Sequence, residues 1–388
     1  MVTLDISQIE SLHFLRRLIF SFLFIVFAVA NVSAITQNEK EGFIRINIKT
    51  DNFKNSANLS DFLEIGKLIP LEATKDCLIK SIRKVIQYRD NIYVFDMDQQ
   101  KYFRFNNAGK FLGQIGQRGK GPGEYLETYD FQIDTKKELI YLLDFCKIHI
   151  FSLNGKWIRS VKTEFMAEAF CQTENNQFIF YGAGRDNRIF ITDSNFKAIN
   201  SFFPYSLAYR LTPRYPLSIY NNDILVQIPT FDTIYTLKDG KPKPLFYLDY
   251  NGKNLTEKEF NRLPEADQSK VYDYIMLNCR HANSCEFIPL KNSAIIAVSY
   301  CQKAYWGICN LKTHQYSFVE LRKLNNDIFG TFMYFHPAGI TDDEYIFSMP
   351  AEVMIKDKTN SFYQKNIETL KEVNDLSNPV LLFAKPKI

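Results

Sequence analysis

The stretch Asn91–Gly116, NIYVFDMDQQKYFRFNNAGKFLGQIG, returns in altered form at Glu138–Val161 as ELIYLLDFCKIHIFSLNGKWIRSV. Tyr93 to Asp96 aligns with Tyr141 to Asp144. Phe105, Gly109, Lys110 and Phe111 align with Phe151, Gly155, Lys156 and Trp157, which sets a period of 46 to 48 residues. Each copy reads as a strand ending in Asp, a short turn, a second strand, a turn containing Gly-Lys, and a third strand led by an aromatic residue. An apolar run ahead of each copy, Leu78–Gln87 or Thr128–Ile133, supplies a fourth strand. Four antiparallel strands in a repeat of about fifty residues form one blade of a β-propeller. Such a sheet cannot bury both its faces alone, so neighbouring blades must stack on it and the row must close into a ring.

The rhythm continues in weaker form through Gln177–Phe203 and Asp223–Leu248, then Glu286–Leu321, and last through Met333–Ile340, Tyr345–Met349 and Asn378–Ile388. The count is six, with five and seven as the neighbouring counts that degenerate repeats leave open. The expected fold is therefore all-β, a six-bladed propeller of four-stranded antiparallel blades. The segment LTEKEFNRLPEADQSKVYDYIM has helical character and is expected to form an insertion between blades four and five. A second short helix is expected at Phe362–Val373. The early strand Phe43–Ile48 is expected to complete the final blade and clasp the ring.

Composition narrows the function classes. Aromatic residues reach 15%, with 34 Phe and 22 Tyr, which favours pleated structure over helix. The formal net charge of +4, from 47 basic and 43 acidic residues, is too balanced for nucleic-acid binding. Arg16 and Arg17 precede an apolar run from Leu18 to Ala30, with small residues at Ser33 and Ala34. This reads as a secretory signal peptide over residues 1–34, with the propeller domain on 35–388. The run is too short for a permanent transmembrane span, which takes about 20 residues. The expected location is periplasmic or cell-surface. The cysteines at 77, 146, 171, 279, 285, 301 and 309 contain no CxxC pair, so disulfides are allowed but not demanded, and most are expected to be buried small hydrophobes. Cys279, His281 and Cys285 have no zinc-site spacing, and no metal site is expected.

The loop GQRGKGPGEY at Gly116–Tyr125, with YVFD, FNNAGKF and the closing NPVLLFAKPK, resembles the NHL-like six-bladed propellers common among exported proteins of Bacteroidota. The resemblance spans nearly the whole mature chain and is most specific in the first two blades and at the C-terminus. It implies an extracytoplasmic location and no assigned activity. Many relatives look like lipoproteins, and this chain differs in lacking a Cys after the apolar run.

In a blade with strands a to d, the b-to-c and d-to-a connections share one face and the a-to-b and c-to-d turns share the other. Asp96–Lys101 and Asp144–Lys147 are b-to-c connections and the Gly-rich loop is a d-to-a connection, so all three belong to one face. That face is the candidate binding surface, with Arg118, Lys120, Glu124, Tyr125, Asp96, Asp98 and Asp144 as candidate ligand-binding residues. The loop's amides, helped by Arg118 and Lys120, suit an anion. The loop matches neither phosphate-binding fingerprint, and its glycines equally suit a structural crossover, with Glu124 and Tyr125 as its anchors. Clustered aspartates suit calcium or acid/base work, and equally the capping of turn amides, which is the favoured reading. His149 reads as a satisfied core residue, while Trp157, Tyr305 and Trp306 are aromatics that suit stacking on sugars if exposed. No nucleophile-elbow motif is present.

The leading expectation is a non-catalytic exported propeller that binds a ligand or envelope protein on the Gly-rich face, with no cofactor beyond the calcium option. The rival is a propeller hydrolase or lyase with a metal or carboxylate site at the central channel.

Overall fold

A computed structural model of the chain describes residues 42–387 apart from 183–186, 205–212, 229–231, 261, 264–273, 275–276, 278 and 331–335. The expected signal peptide, residues 1–34, lies outside the described residues. Six four-stranded antiparallel units follow one another. Blade one runs from Ile82–Tyr88 to Phe111–Gln114, blade two from Thr128–Asp134 to Trp157–Lys162, and blade three from Ala167–Gln172 to Ala198–Pro204. Blade four runs from Leu217–Tyr220 to Lys241–Asp249 and blade five from Ala282–Pro289 to Tyr316–Glu320. Blade six takes Gly339–Ile340, Tyr345–Met349 and Val380–Pro386 from the C-terminal end and Leu63–Pro70 from the N-terminal end.

The second strand of each blade explains why the repeat is readable. Asn91–Asp96 and Leu139–Asp144 are buried at five of six positions and Phe178–Gly182 at all five, because a middle strand has a neighbouring blade against each face. The outer strands Trp157–Lys162 and Ala198–Pro204 are largely exposed and free to vary. The core divides into six apolar clusters, one at each junction between adjacent blades. Phe95, Tyr102 and Phe131 join blades one and two, and Phe170, Phe178 and Tyr141 join two and three. Val226 and Ile179 join three and four, Phe246 and Phe287 join four and five, Trp306 and Tyr345 join five and six, and Phe383 and Val94 join six and one. Six junctions for six blades is the arrangement of a closed ring.

The closing strand is not the one expected. Ile44–Asn47 pairs in parallel with Phe246–Asp249 as a fifth strand on blade four, where Ile46 and Ile48 fill the junction with blade five. Lys54 then bridges Val319 of blade five, and Leu63–Pro70 completes blade six against Val380–Pro386. The N-terminal segment is thus a belt over three blades. Leu63–Pro70 is hard to recognise from sequence because Glu64, Gly66 and Lys67 interrupt its apolar pattern, whereas Phe43–Ile48 alternates cleanly. Helix Glu257–Phe260 opens the expected insertion between blades four and five, most of which falls outside the described residues. The second helical segment is broken into Ser361–Lys365 and Ile367–Leu370, and an unexpected helix, Ala351–Ile355, precedes them.

Gly109 locks the junction of the first and last blades. Its φ of +82° belongs to the left-handed region, and a Cβ there would overlap the carbonyl oxygen of Pro70. Gly252 also has a left-handed φ, +78°, but open space around it. Gly252→Ala is expected to cost about 1 kcal/mol and Gly109→Ala at least about 3 kcal/mol in denaturant unfolding. Equal costs would contradict the contact between Gly109 and the closing strand.

Candidate functional site

Every insertion among the described residues emerges on the face of the b-to-c and d-to-a connections. The Gly-rich loop, the helix Glu257–Phe260 and the three helices between Met349 and Val380 all lie there. The opposite face carries short turns, such as Asn221–Asn222, which hold φ values of 49° and 67°. A scaffold with one plain and one elaborated face concentrates its adaptable surface on the latter.

The central channel is closed on the elaborated face. The segment Pro213–Pro216 crosses from blade four, and the Arg214 guanidinium donates to the carbonyls of Ile82 and Arg83 at 3.2 and 2.9 Å in the opposite blade. Arg83 returns the bond to the Arg214 carbonyl at 3.1 Å. The Arg214 amide donates to Glu286 of blade five, and the Tyr215 hydroxyl donates to Pro337 ahead of blade six at 2.6 Å. What remains is a cavity of about 30 Å³, the space of roughly one water. Carboxylates do converge here, as the hydrolase reading requires: Asp130 and Glu168 line the cavity, and Glu286 beside it keeps its buried Oε2 without a hydrogen-bond partner among the described residues. Asp130 accepts from Lys84 at 2.7 Å and from the Phe170 amide at 3.0 Å. Burial pushes Glu286 up to about 7 despite its bonds to the Arg214 and Tyr215 amides, and burial with the nearby cations of Arg214 and Arg83 pulls His336 down to about 4. Among the described residues, no group of three or more His, Cys, Asp or Glu is placed to hold a metal ion.

The Gly-rich loop lies over the outer strands of blade two. Its ends are zipped by parallel pairing of Gln117 with Glu124 and Arg118 with Tyr125. Glu124 turns inward, accepting from the Gly121 amide at 2.7 Å and the Gln117 amide group at 2.6 Å, and these bonds hold its carboxyl below the usual range. Tyr125 is fully buried, edge-on to Tyr102. Both residues hold the loop in place. Asp96 is buried and accepts from the Lys80, Ser81 and Gln99 amides, so it caps its own turn. Asp98, Arg118 and Lys120 are exposed. Asp144, one blade on, accepts from the Leu126 and Glu127 amides. Burial raises its carboxyl, but these bonds and one from His149 outweigh it and hold the group low.

Under the loop lies a pocket of about 490 Å³ that brings Asp144, Glu124 and Lys120 together and leaves Asp96, Asp98, Arg118 and Tyr125 outside. Its wall contains Lys147, Arg159, Lys162 and Trp157, of which sequence reasoning had singled out only Trp157. The signal for Lys147 and Lys162 was present: in the hairpin of strands c and d they sit directly opposite each other. Trp157 is 39% exposed, whereas Trp306 is buried against Phe62 and Tyr305 is half-buried against Phe53.

At the pocket floor a relay runs Trp157, Ser160, His149, Asp144. The indole N–H donates to Ser160 Oγ at 3.2 Å, and His149 sits 2.8 Å from Ser160 and 3.1 Å from Asp144. Asp144 only accepts, so Nε2 of His149 carries the proton and Nδ1 accepts from Ser160. The connectivity is that of a nucleophile, a base and an orienting acid. The loop amides that would face a developing oxyanion are already used, Gly119 by the Tyr125 carbonyl and Gly121 by Glu124. The relay ties together strands b, c and d of blade two.

A second cavity on this face, about 410 Å³, lies between blades three and four and is lined by Arg188, Tyr235, Tyr247, Asn254 and Asp232. Asp232 accepts from the Ser284 amide and Asn254 Nδ2, both at 2.8 Å, yet burial pushes it up to about 7. The plain face has a wider hollow of about 760 Å³ around the other channel mouth, but two of its charges are taken, Arg89 by Glu138 and Asp343 by Lys385.

The fold defines the protein as a six-bladed β-propeller with a closed channel and one elaborated face. More particularly, the chain belongs to the family described as Domain of unknown function (DUF4934), whose model matches residues 43–385. It is similar to a solved structure from Bacteroides fragilis, named as a protein inferred to be exported, with TM-score 0.73 and 20% identity over 89% of this chain and 100% of that one. A solved member of the DUF4221 family from Bacteroides vulgatus matches with TM-score 0.48 and 10% identity, over 84% of this chain and 98% of that one. No curated protein matches the chain in sequence. No described helix is long and apolar enough to cross a membrane.

The raised carboxyl of Asp232 has a pH signature. A carboxyl with a pKa of 3.8 when unfolded and about 7 when folded stabilises the fold fully below pH 3.8, and that contribution is lost as pH rises through 7. Asp232→Asn is expected to flatten the decline of unfolding free energy between pH 4 and 7 by about one proton's worth of slope. An unchanged slope would show that Asp232 is ionised throughout.

Proposed function

We propose that this protein is an exported, non-catalytic recognition propeller that binds a ligand or an envelope partner on the face carrying the Gly-rich loop. The observation that carries the reading is the contrast between the pocket under that loop, whose cationic side chains make no ion pair among the described residues, and the channel, which the Arg214 segment closes down to about 30 Å³. A rigid ring with an unspent charged concavity suits recognition more than chemistry. Export is supported by the leader, by the inferred export of the Bacteroides fragilis neighbour, and by a Cys279–Cys301 disulfide, since such bonds persist in oxidising compartments. That bond also removes Cys279 from any metal-ligand set.

The hydrolase alternative keeps one specific support, the Ser160–His149–Asp144 connectivity. It predicts covalent labelling of Ser160 by a fluorophosphonate, and the recognition reading predicts none. The recognition face itself is tested by photo-crosslinking in intact cells, with the crosslinker at Lys120 on the elaborated face or at Asn222 on the plain one. Discrete adducts are expected from position 120 and not from 222. Adducts from 222 alone would move the working surface to the plain face.

A further inference from the structure

Building on the recognition reading, we infer that the pocket under the Gly-rich loop is a binding site for an acidic sugar, such as a uronic acid unit of a glycan, with its carboxylate between Lys147 and Lys162 and its ring against Trp157. Of the charged groups in the wall, the two carboxylates are spent internally, Glu124 on Gly121 and Gln117, Asp144 on Leu126, Glu127 and His149. Lys120, Lys147 and Lys162 have no carboxylate within ion-pair distance among the described residues, so the field in the pocket is positive.

Strand register supplies an independent observation. Lys147 and Lys162 are directly opposed across strands c and d of blade two, on the same face of the sheet. Like charges in that arrangement repel and weaken the hairpin. A second opposed pair, Lys238 and Lys241 in blade four, has Asp223 3.9 Å from Lys238, whereas neither Lys147 nor Lys162 has such a partner among the described residues. An anion between Lys147 and Lys162 would relieve the repulsion; Asp144 lies opposite Lys147 on strand b, but it is held by the Leu126 and Glu127 amides and His149, and among the described residues neither lysine forms an ion pair.

The remaining wall selects what carries the anion. Trp157 lies at the start of strand d with Gly123 against its ring atoms, and its indole N–H is fixed on Ser160. A Cβ at Gly123 would come within 2.7 Å of the ring, so the glycine lets the loop approach closely. An indole held in this way and still 39% exposed offers a flat surface to the C–H face of a pyranose, whose slightly positive hydrogens complement the negative π-face. A pocket of about 490 Å³ admits one or two sugar units.

The chain contains two tryptophans and Trp306 is 2% exposed, out of reach of a ligand in this pocket, so a ligand-induced change in emission reports mainly on Trp157. Titration with tetragalacturonate is expected to give a saturable change in emission, weakened about tenfold between 50 and 500 mM salt, with no response to neutral maltotetraose. Lys147→Ala combined with Lys162→Ala should weaken binding at least about tenfold while leaving the melting temperature unchanged or raised, because opposed charges are removed. Glycan-array binding of Trp157→Phe should fall without loss of fold. An equal response to maltotetraose, or no response from a folded wild type, would overturn the acidic-sugar assignment. If that occurs while crosslinks still arise from position 120, the ligand class fails and the recognition face stands. If crosslinks are absent as well, both fail.

Discussion

Each blade is a sheet whose two middle strands are apolar on both faces, and it can exist only between two others. Leu139–Asp144 illustrates the constraint: Leu142 belongs to the junction with blade one and Leu143 to the junction with blade three, so consecutive side chains serve opposite neighbours. Six such junctions leave no open apolar face only if the ring closes, and closure falls to Leu63–Pro70, the strand farthest in sequence from its partner Val380–Pro386. Gly109 then seats the first blade against the end of that strand. The position of every loop follows from this ring, including the assignment of all insertions to one face.

Within that frame, polar groups divide into buried ones that hold the ring and more exposed ones left for a visitor. Asp96 and Asp144 occupy equivalent turns in adjacent blades, and each gathers backbone amides from the segment leading into its own blade. The aspartate ending YVFD and YLLD is thus explained by the connection it anchors. Arg83 and Arg214 exchange bonds to each other's backbone across the channel, which lets two like charges lie close together without repelling the segments apart. Glu124 does for the Gly-rich loop what the aspartates do for the turns. What is left over is cationic and lies on blade two.

The fold was legible because the first two blades repeat side chains whose surroundings are identical, and Tyr93–Asp96 and Tyr141–Asp144 are both middle strands. The outer strands gave little, since exposure relaxes their choice of residue, and Leu63–Pro70 went unrecognised for that reason. The loop-to-face assignment followed from topology alone. The candidate residues fared less evenly: Asp144, Lys120 and Glu124 line the pocket, while Asp96 and Tyr125 are buried in structural roles. Lys147, Arg159 and Lys162 look like ordinary surface cations in sequence, and only strand register shows two of them facing each other. The plug at Arg214 is invisible in sequence because its partners come from blades one, five and six.

The pocket between the Gly-rich loop and strand d of blade two is the proposed resting place of an acidic glycan. Hydrogen-exchange mass spectrometry of the full chain with and without tetragalacturonate tests this most directly. Protection confined to Gly119–Glu124 and Trp157–Lys162 is the predicted result. Protection centred on the plain-face turns around Asn222 and Lys291, or on no segment at all, would contradict it.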